Sequence, residues 1–207
     1  MLKVLLVNGS PHPEGNTFIA LCEVAAALNA EDVATEIFPC GRAVLRGCQG
    51  CGGCASLDNR CVYDDEVNVF LEKTKGTDGF IFGSPVHYAG VTGALKSFMD
   101  RCFYAGRHFA YKPAAGVVVA RRGGETPAFD QLNKYFQIAK MPVVSSQYWN
   151  MVFGQKPGEA RQDAEGLQTM RLLGRNMAWL LKCIQAGAGR GITPPEPEAV
   201  TRMNYIR

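Results

Sequence analysis

A chain of 207 residues with 47% hydrophobic and 20% charged residues has the makeup of one soluble globular domain. Its net charge of +3 is too small to argue for nucleic acid and suits an anionic ligand. No apolar run approaches the roughly 20 residues that span a bilayer, and no basic segment with a cleavage site opens the chain, so a cytoplasmic protein without membrane or nucleic-acid partners is expected.

The first element is the continuous apolar strand "KVLLVNG" at residues 3–9, the pattern of a buried parallel sheet. "NTFIALCEVAAALNA" follows with Phe18, Leu21, Cys22, Ala25 and Leu28 at helical spacing. "DVATEIF" (residues 32–38) alternates as a strand. A glycine-rich loop with four cysteines comes next. "DDEVNVFLEKTK" then restarts a helix, with Asp64 or Asp65 as its cap. "GFIFGSP" is a third strand, and the helix "VTGALKSFMDRCF" lines up Leu95, Phe98, Met99 and Cys102. "AAGVVVA" is a fourth strand. "TPAFDQLNKYFQIAK" reads as a helix capped by Thr126, with Pro127 first inside. "MPVVSSQYWNMVFG" carries the fifth strand, and "EARQDAEGLQTMRLLGRNMAWLLKCIQAG" reads as one long amphipathic helix. The division expected is one domain over residues 1–190 and an extended, proline-rich tail over 191–207.

Five strands alternating with five helices predict a doubly wound parallel α/β sheet with helices on both faces. Ligands of such sheets bind beyond the carboxyl ends of the strands. After the first strand, "NGSPHPEGNT" (residues 8–17) runs into a helix whose first amides favour an anion. Ser10, Asn16 and Thr17 add side-chain donors, and His12 is placed to pair with phosphate. The glycine spacing is neither G-x-G-x-x-G nor a Walker motif, so a phosphate monoester is expected. After the third strand, Pro85, Val86, His87 and Tyr88 offer a wall to a planar ligand. After the fourth, Gly123 and Gly124 leave bare backbone amides, with Arg121 and Arg122 adding charge. Three such loops on one sheet edge favour a joint site over three ordinary turns.

The stretches "NGSPHPEGNT", "SPVHYAGVTGALKSFMDR" and "RRGGETPAFDQLNKYF…MPVVSSQYWN" resemble the NADPH-dependent FMN reductase superfamily, over about residues 2–182. The resemblance implies a flavodoxin-like sheet of strand order 2-1-3-4-5. It implies FMN with its phosphate in the loop from Ser10 to Thr17. It also implies ring contacts from Pro85, Val86, His87 and Tyr88 and from the loop Arg121–Gly124.

The spacing of Cys48, Cys51, Cys54 and Cys61 is C-x2-C-x2-C-x6-C. Three readings compete: a [4Fe–4S] cluster, structural zinc, or a loop that holds no metal. The cluster is favoured. A compact loop delivers three thiolates at once, and Gly47, Gly50, Gly52 and Gly53 let it wrap. Arg42, Arg46 and Arg60 stand near in sequence to offset charge. The motif is similar to that of the iron–sulfur flavoproteins, a branch of the same superfamily. Cys22, Cys102 and Cys183 read as core residues, and Cys40 as a buried strand end.

The expected function is an FMN-dependent oxidoreductase, passing electrons between a [4Fe–4S] cluster and FMN. The resemblance implies a ferredoxin-like electron donor. The alternative is a cluster-free enzyme in which NAD(P)H reduces FMN, which then reduces a quinone or another small-molecule electron acceptor. No catalytic acid–base pair is evident. An acidic flavodoxin-type carrier is disfavoured by the +3 charge, and a zinc or thiol sensor is the remaining class. The segment "SSQYWNMVFG" and the long helix suggest a homodimer or homotetramer.

Overall fold

The computed structural model describes residues 1–106, 108–201 and 203–206; Arg202 and Arg207 of the expected tail lie outside the described residues. Five parallel strands run in the order β2-β1-β3-β4-β5. They are β1 (Lys3–Asn8), β2 (Ala34–Pro39), β3 (Gly79–Pro85), β4 (Ala114–Ala120) and β5 (Met151–Phe153). Five helices connect or follow them: α1 (Asn16–Asn29), α2 (Glu66–Thr74), α3 (Gly93–Ala105), α4 (Glu125–Ile138) and α5 (Ala164–Ala188). Order and layering are those expected from the flavodoxin-like resemblance.

Strand alternation divides the core. Leu5, Val7, Phe80 and Phe82 face α2, α3 and α4, whereas Val4, Leu6 and Ile81 face α1 and α5. The first layer is rich in phenylalanine: the Phe70 and Phe98 rings stand 5.0 Å apart and Phe103 stacks on Phe109 at 4.5 Å. The second depends on close helix approach. A Cβ on Gly174 of α5 would lie 2.7 Å from the Cβ of Ala27.

Several local expectations are corrected. β2 does not alternate: residues 34–37 are all half-buried, because β2 is an edge strand only partly covered by helices. The cap of α4 is Gly124, at φ 91°, not Thr126. A left-handed residue is needed there, and a side chain would meet Val86 and Ala89. Pro127 still falls in the first turn, where its missing N–H costs no helical bond. The single long helix is two elements, a short 3-10 turn (Glu159–Gln162) and then α5. Asp163 breaks it, because its carboxylate accepts from Gly166 N of α5 at 2.9 Å and from Phe153 N of β5 at 2.7 Å. Cys102 and Cys40 are buried as expected, but Cys22 is half-buried and Cys183 is exposed near the end of α5. Among the described residues, no helix is long and apolar enough to cross a membrane.

Candidate functional site

A cavity of about 460 Å³ opens at the carboxyl edge of the sheet, within the usual range for small-molecule sites. Its floor is the β1–α1 loop, which is held by its own hydrogen bonds. Asn8 Oδ1 accepts from Ser10 N at 3.0 Å, and Asn8 Nδ2 donates to Pro13 O at 3.1 Å. Ser10 Oγ accepts from His12 N at 3.1 Å. The α1 helix starts without a side-chain cap and without an acidic residue in its first turn. Its leading amides are therefore left for an anion. Ser10, His12, Asn16 and Thr17 all line this cavity, and Thr17 is 1% exposed.

Asn16 does something different from what its position suggested. Its Nδ2 donates to Lys156 O at 3.0 Å, and its Oδ1 accepts from Gly158 N at 3.1 Å and Ala160 N at 3.2 Å. The carboxamide thus pins a fourth loop, after β5, against the floor. Gly154, Gln155 and Pro157 of that loop line the cavity. Sequence reasoning missed it, although it follows the fifth strand on the same sheet edge.

Pro85, Val86 and His87 form one wall. His87 and Gly90 exchange both backbone hydrogen bonds, at 2.9 and 3.0 Å. This closes a two-residue turn with Tyr88 at φ 49° and Ala89 at φ 58°. Such turns ordinarily carry asparagine and glycine. Tyr88 projects fully into solvent from the tip and is not a lining residue. Val119 and Ala120 at the end of β4 and Arg121 of the β4–α4 loop reach the cavity. Arg122 and Gly123 are exposed outside it. Gly124 backs the turn, since a Cβ there would stand 3.0 Å from Ala89 Cα.

Cys48, Cys51, Cys54 and Cys61 line one separate pocket together with Tyr63, Arg101 and Tyr104. Gly50 (φ 60°) and Gly52 (φ 71°) supply the left-handed turns that curl the first three thiols around it. Asn68, buried on α2, fastens the second half. Its Oδ1 accepts from Cys61 N at 2.7 Å, and its Nδ2 donates to Cys61 O and Tyr63 O at 3.0 and 2.9 Å. Among the described residues, no three His, Cys, Asp or Glu side chains are gathered tightly enough for a single metal ion.

The three arginines expected to offset charge are placed elsewhere than in the pocket wall. Arg42 donates to Pro11 O at 2.8 Å, Arg60 pairs with Asp64 at 3.3 Å, and Arg46 lies 5.6 Å over the Tyr63 ring. The cation in the wall is Arg101 of α3, with a side chain 1% exposed. Its Nε donates to Cys61 Sγ at 3.2 Å, and its two Nη atoms grip Asp65 at 2.6 and 2.9 Å. Burial presses against the charged form of Arg101, but the hydrogen bonds to Asp65 and Cys61 outweigh it and hold the guanidinium cationic. A charged residue beside Cys102 on an otherwise apolar helix face was the available sequence signal.

The two sites share a root. Cys40 N and Gly41 N both donate to Asn8 O, at 3.0 and 3.2 Å. The cysteine segment therefore leaves β2 fastened to the floor loop of the cavity. Cys40 is buried, and burial pushes its thiol up to about 12. Cys102, wholly buried, is raised well above the usual thiol range for the same reason.

Along most of its length the chain is similar to known proteins. The family model for NADPH-dependent FMN reductases matches residues 2–156. An iron-sulfur flavoprotein of Methanocaldococcus jannaschii is 35% identical over 89% of this chain and 100% of its own length. An iron-sulfur flavoprotein of Methanosarcina thermophila is 28% identical over 89% and 97%. Among solved structures, RosB with bound 8-demethyl-8-formylriboflavin-5'-phosphate superposes with a TM-score of 0.71 at 15% identity, covering 99% of this chain and 92% of that one. A flavodoxin from the domain Archaea gives a TM-score of 0.58 at 14% identity, over 88% and 99%. At such identities these two likenesses speak for the fold.

Proposed function

The chain belongs to the NADPH-dependent FMN reductase family, and from that premise we propose that this FMN-dependent oxidoreductase is an iron–sulfur flavoprotein. FMN occupies the four-loop cavity, and Cys48, Cys51, Cys54 and Cys61 hold a [4Fe–4S] cluster. FMN exchanges one or two electrons and the cluster single electrons.

The observation that carries the reading is the convergence of all four thiols on one pocket beside a buried guanidinium. A single zinc ion needs every sulfur about 2.3 Å from one centre. A cube-shaped cluster gives each thiolate its own iron, and four thiols lining one pocket supply that number of ligands. The names of the archaeal relatives support the same assignment.

The other residues bind and orient. The α1 amides with Ser10 and Thr17 receive the phosphate. Pro85, Val86 and His87 bound the ring, and Asn16 holds the Gly154 loop in place. The electron donor is a ferredoxin-like protein or NAD(P)H, and the acceptor is a small molecule. The enzyme acts in the cytoplasm, a reducing compartment that suits eight cysteines with no disulfide among the described residues. It assembles as a homodimer or homotetramer. The competing reading, a cluster-free NAD(P)H-dependent reductase, draws on the family description.

Anaerobically reconstituted protein tests the assignment through its visible spectrum with iron and sulfide analysis. Broad absorbance beyond the two flavin bands is expected. Cys51→Ala is expected to lose iron and sulfide while keeping FMN. Wild-type protein without iron, or Cys51→Ala with unchanged iron, would leave the cluster-free flavin enzyme.

A further inference from the structure

We propose that Arg101 and Asp65 form a charge pair that sets the reduction potential at the Cys61 corner of the cluster, with Arg101 raising it and Asp65 lowering it. The proposal rests on the cluster reading and goes beyond it by assigning roles to two residues that are not ligands.

The guanidinium has three partners: the Asp65 carboxylate, the Tyr63 carbonyl oxygen, to which Nη2 donates at 3.3 Å, and the Cys61 sulfur. Both Nη atoms serve the Asp65 carboxylate, and Nε alone points at the sulfur, 3.2 Å away. A brace between α2 and α3 would be complete with the two Asp65 bonds. The Nε bond, which such a brace does not need, places a donor and a positive charge on one ligand sulfur. The Arg101 side chain is 1% exposed, and the Tyr63 ring covers its Cζ at 5.1 Å. Water therefore screens this charge little. Asp65 is held in turn, because its Oδ1 also caps α2 by accepting from Val67 N at 3.1 Å.

The sign follows from electrostatics. Hydrogen bonds to the sulfurs and nearby charge are among the determinants of cluster potential. Reduction adds negative charge, so a donor cation at the thiolate favours the reduced state. A carboxylate at the far side of that cation opposes it. Arg101 is thus a positioning residue, acting through Cys61.

The test compares wild-type, Arg101→Met, Arg101→Lys and Asp65→Asn proteins, full length and loaded anaerobically. Asparagine keeps an oxygen to cap α2. Iron and sulfide content is measured first, and then the cluster potential by redox titration followed by electron paramagnetic resonance. Arg101→Met is expected to shift the reduction equilibrium at least tenfold toward the oxidised form, about 59 mV for one electron. Asp65→Asn is expected to shift it the other way, and Arg101→Lys to fall between Arg101→Met and wild type. If Arg101→Met fails to load, the direction shown by Asp65→Asn decides. Potentials that do not move, or that move in the same direction in loaded Arg101→Met and Asp65→Asn, overturn the proposal but leave the cluster in place. Wild-type protein that takes up no iron or sulfide removes the cluster reading and the proposal with it.

Discussion

Gly41 packs against Ser10 so closely that a Cβ built on it would stand 2.0 Å from the Ser10 carbonyl oxygen. No backbone can yield that far without moving, so Gly41→Ala must displace the floor loop of the proposed FMN cavity. Overpacking of this kind costs about 1–3 kcal/mol. We expect FMN affinity to fall about tenfold or more, read by flavin fluorescence quenching. Unchanged affinity would show that the floor loop is not held from this side.

Thr17 and Asn16 are expected to separate by ligand. Thr17→Val removes a hydroxyl from the cavity floor, where the phosphate is proposed to bind. It should weaken FMN by about 1.5–3 kcal/mol, the range for a hydrogen bond to a charged group, and leave riboflavin binding nearly unchanged. Asn16→Ala releases the loop that it pins through Lys156, Gly158 and Ala160, and should weaken both ligands. Equal losses for both ligands in Thr17→Val would place the phosphate elsewhere.

Glu36 gives a pH-dependent term. Hydrogen bonds from Lys3 and then Lys73, at 2.7 and 2.8 Å, hold its carboxyl below the usual value of 4.5. A depressed carboxylate stabilises the fold above its unfolded pKa, and the contribution is lost as pH falls through the folded value. Glu36→Gln should therefore cost about 0.5–1 kcal/mol at pH 7. The gap should close as the pH drops below 4.5. A gap that persists in acid would point to lost packing instead of lost charge.

Assembly is expected to bury the aromatic group at the β5 edge. Tyr148, Trp149 and Phe153 are 58%, 52% and 43% exposed. Trp149→Glu should shift a dimer or tetramer toward monomer in sedimentation at micromolar concentration. A wild-type protein that sediments as a monomer would remove this expectation.

The sheet was legible because apolar strands and helical spacing are local signals. The tight terminal features were not. Asp163 ends the 3-10 turn by reaching across to Phe153 N, and Gly124 caps α4 because Val86 and Ala89 crowd it. Both are tertiary facts. In the same way, the cysteine spacing pointed to one pocket, whereas Arg101 lies 40 residues beyond Cys61. A charge on an apolar helix face signals a buried partner, but only the fold names Cys61 as one. The approach of Gly41 to Ser10 has no local signal, because only the folded chain brings the two together.

The turn at Tyr88 and Ala89 bears on how the protein will respond to directed evolution. Two adjacent side-chain-bearing residues in the left-handed region carry a cost that Asn-Gly would relieve. A library screened only for heat resistance will therefore enrich asparagine or glycine there. One screened for turnover will keep the tyrosine if its ring, exposed at the rim of the cavity wall, meets the reacting partner. The divergence between the two screens would reveal what the strained turn is kept for.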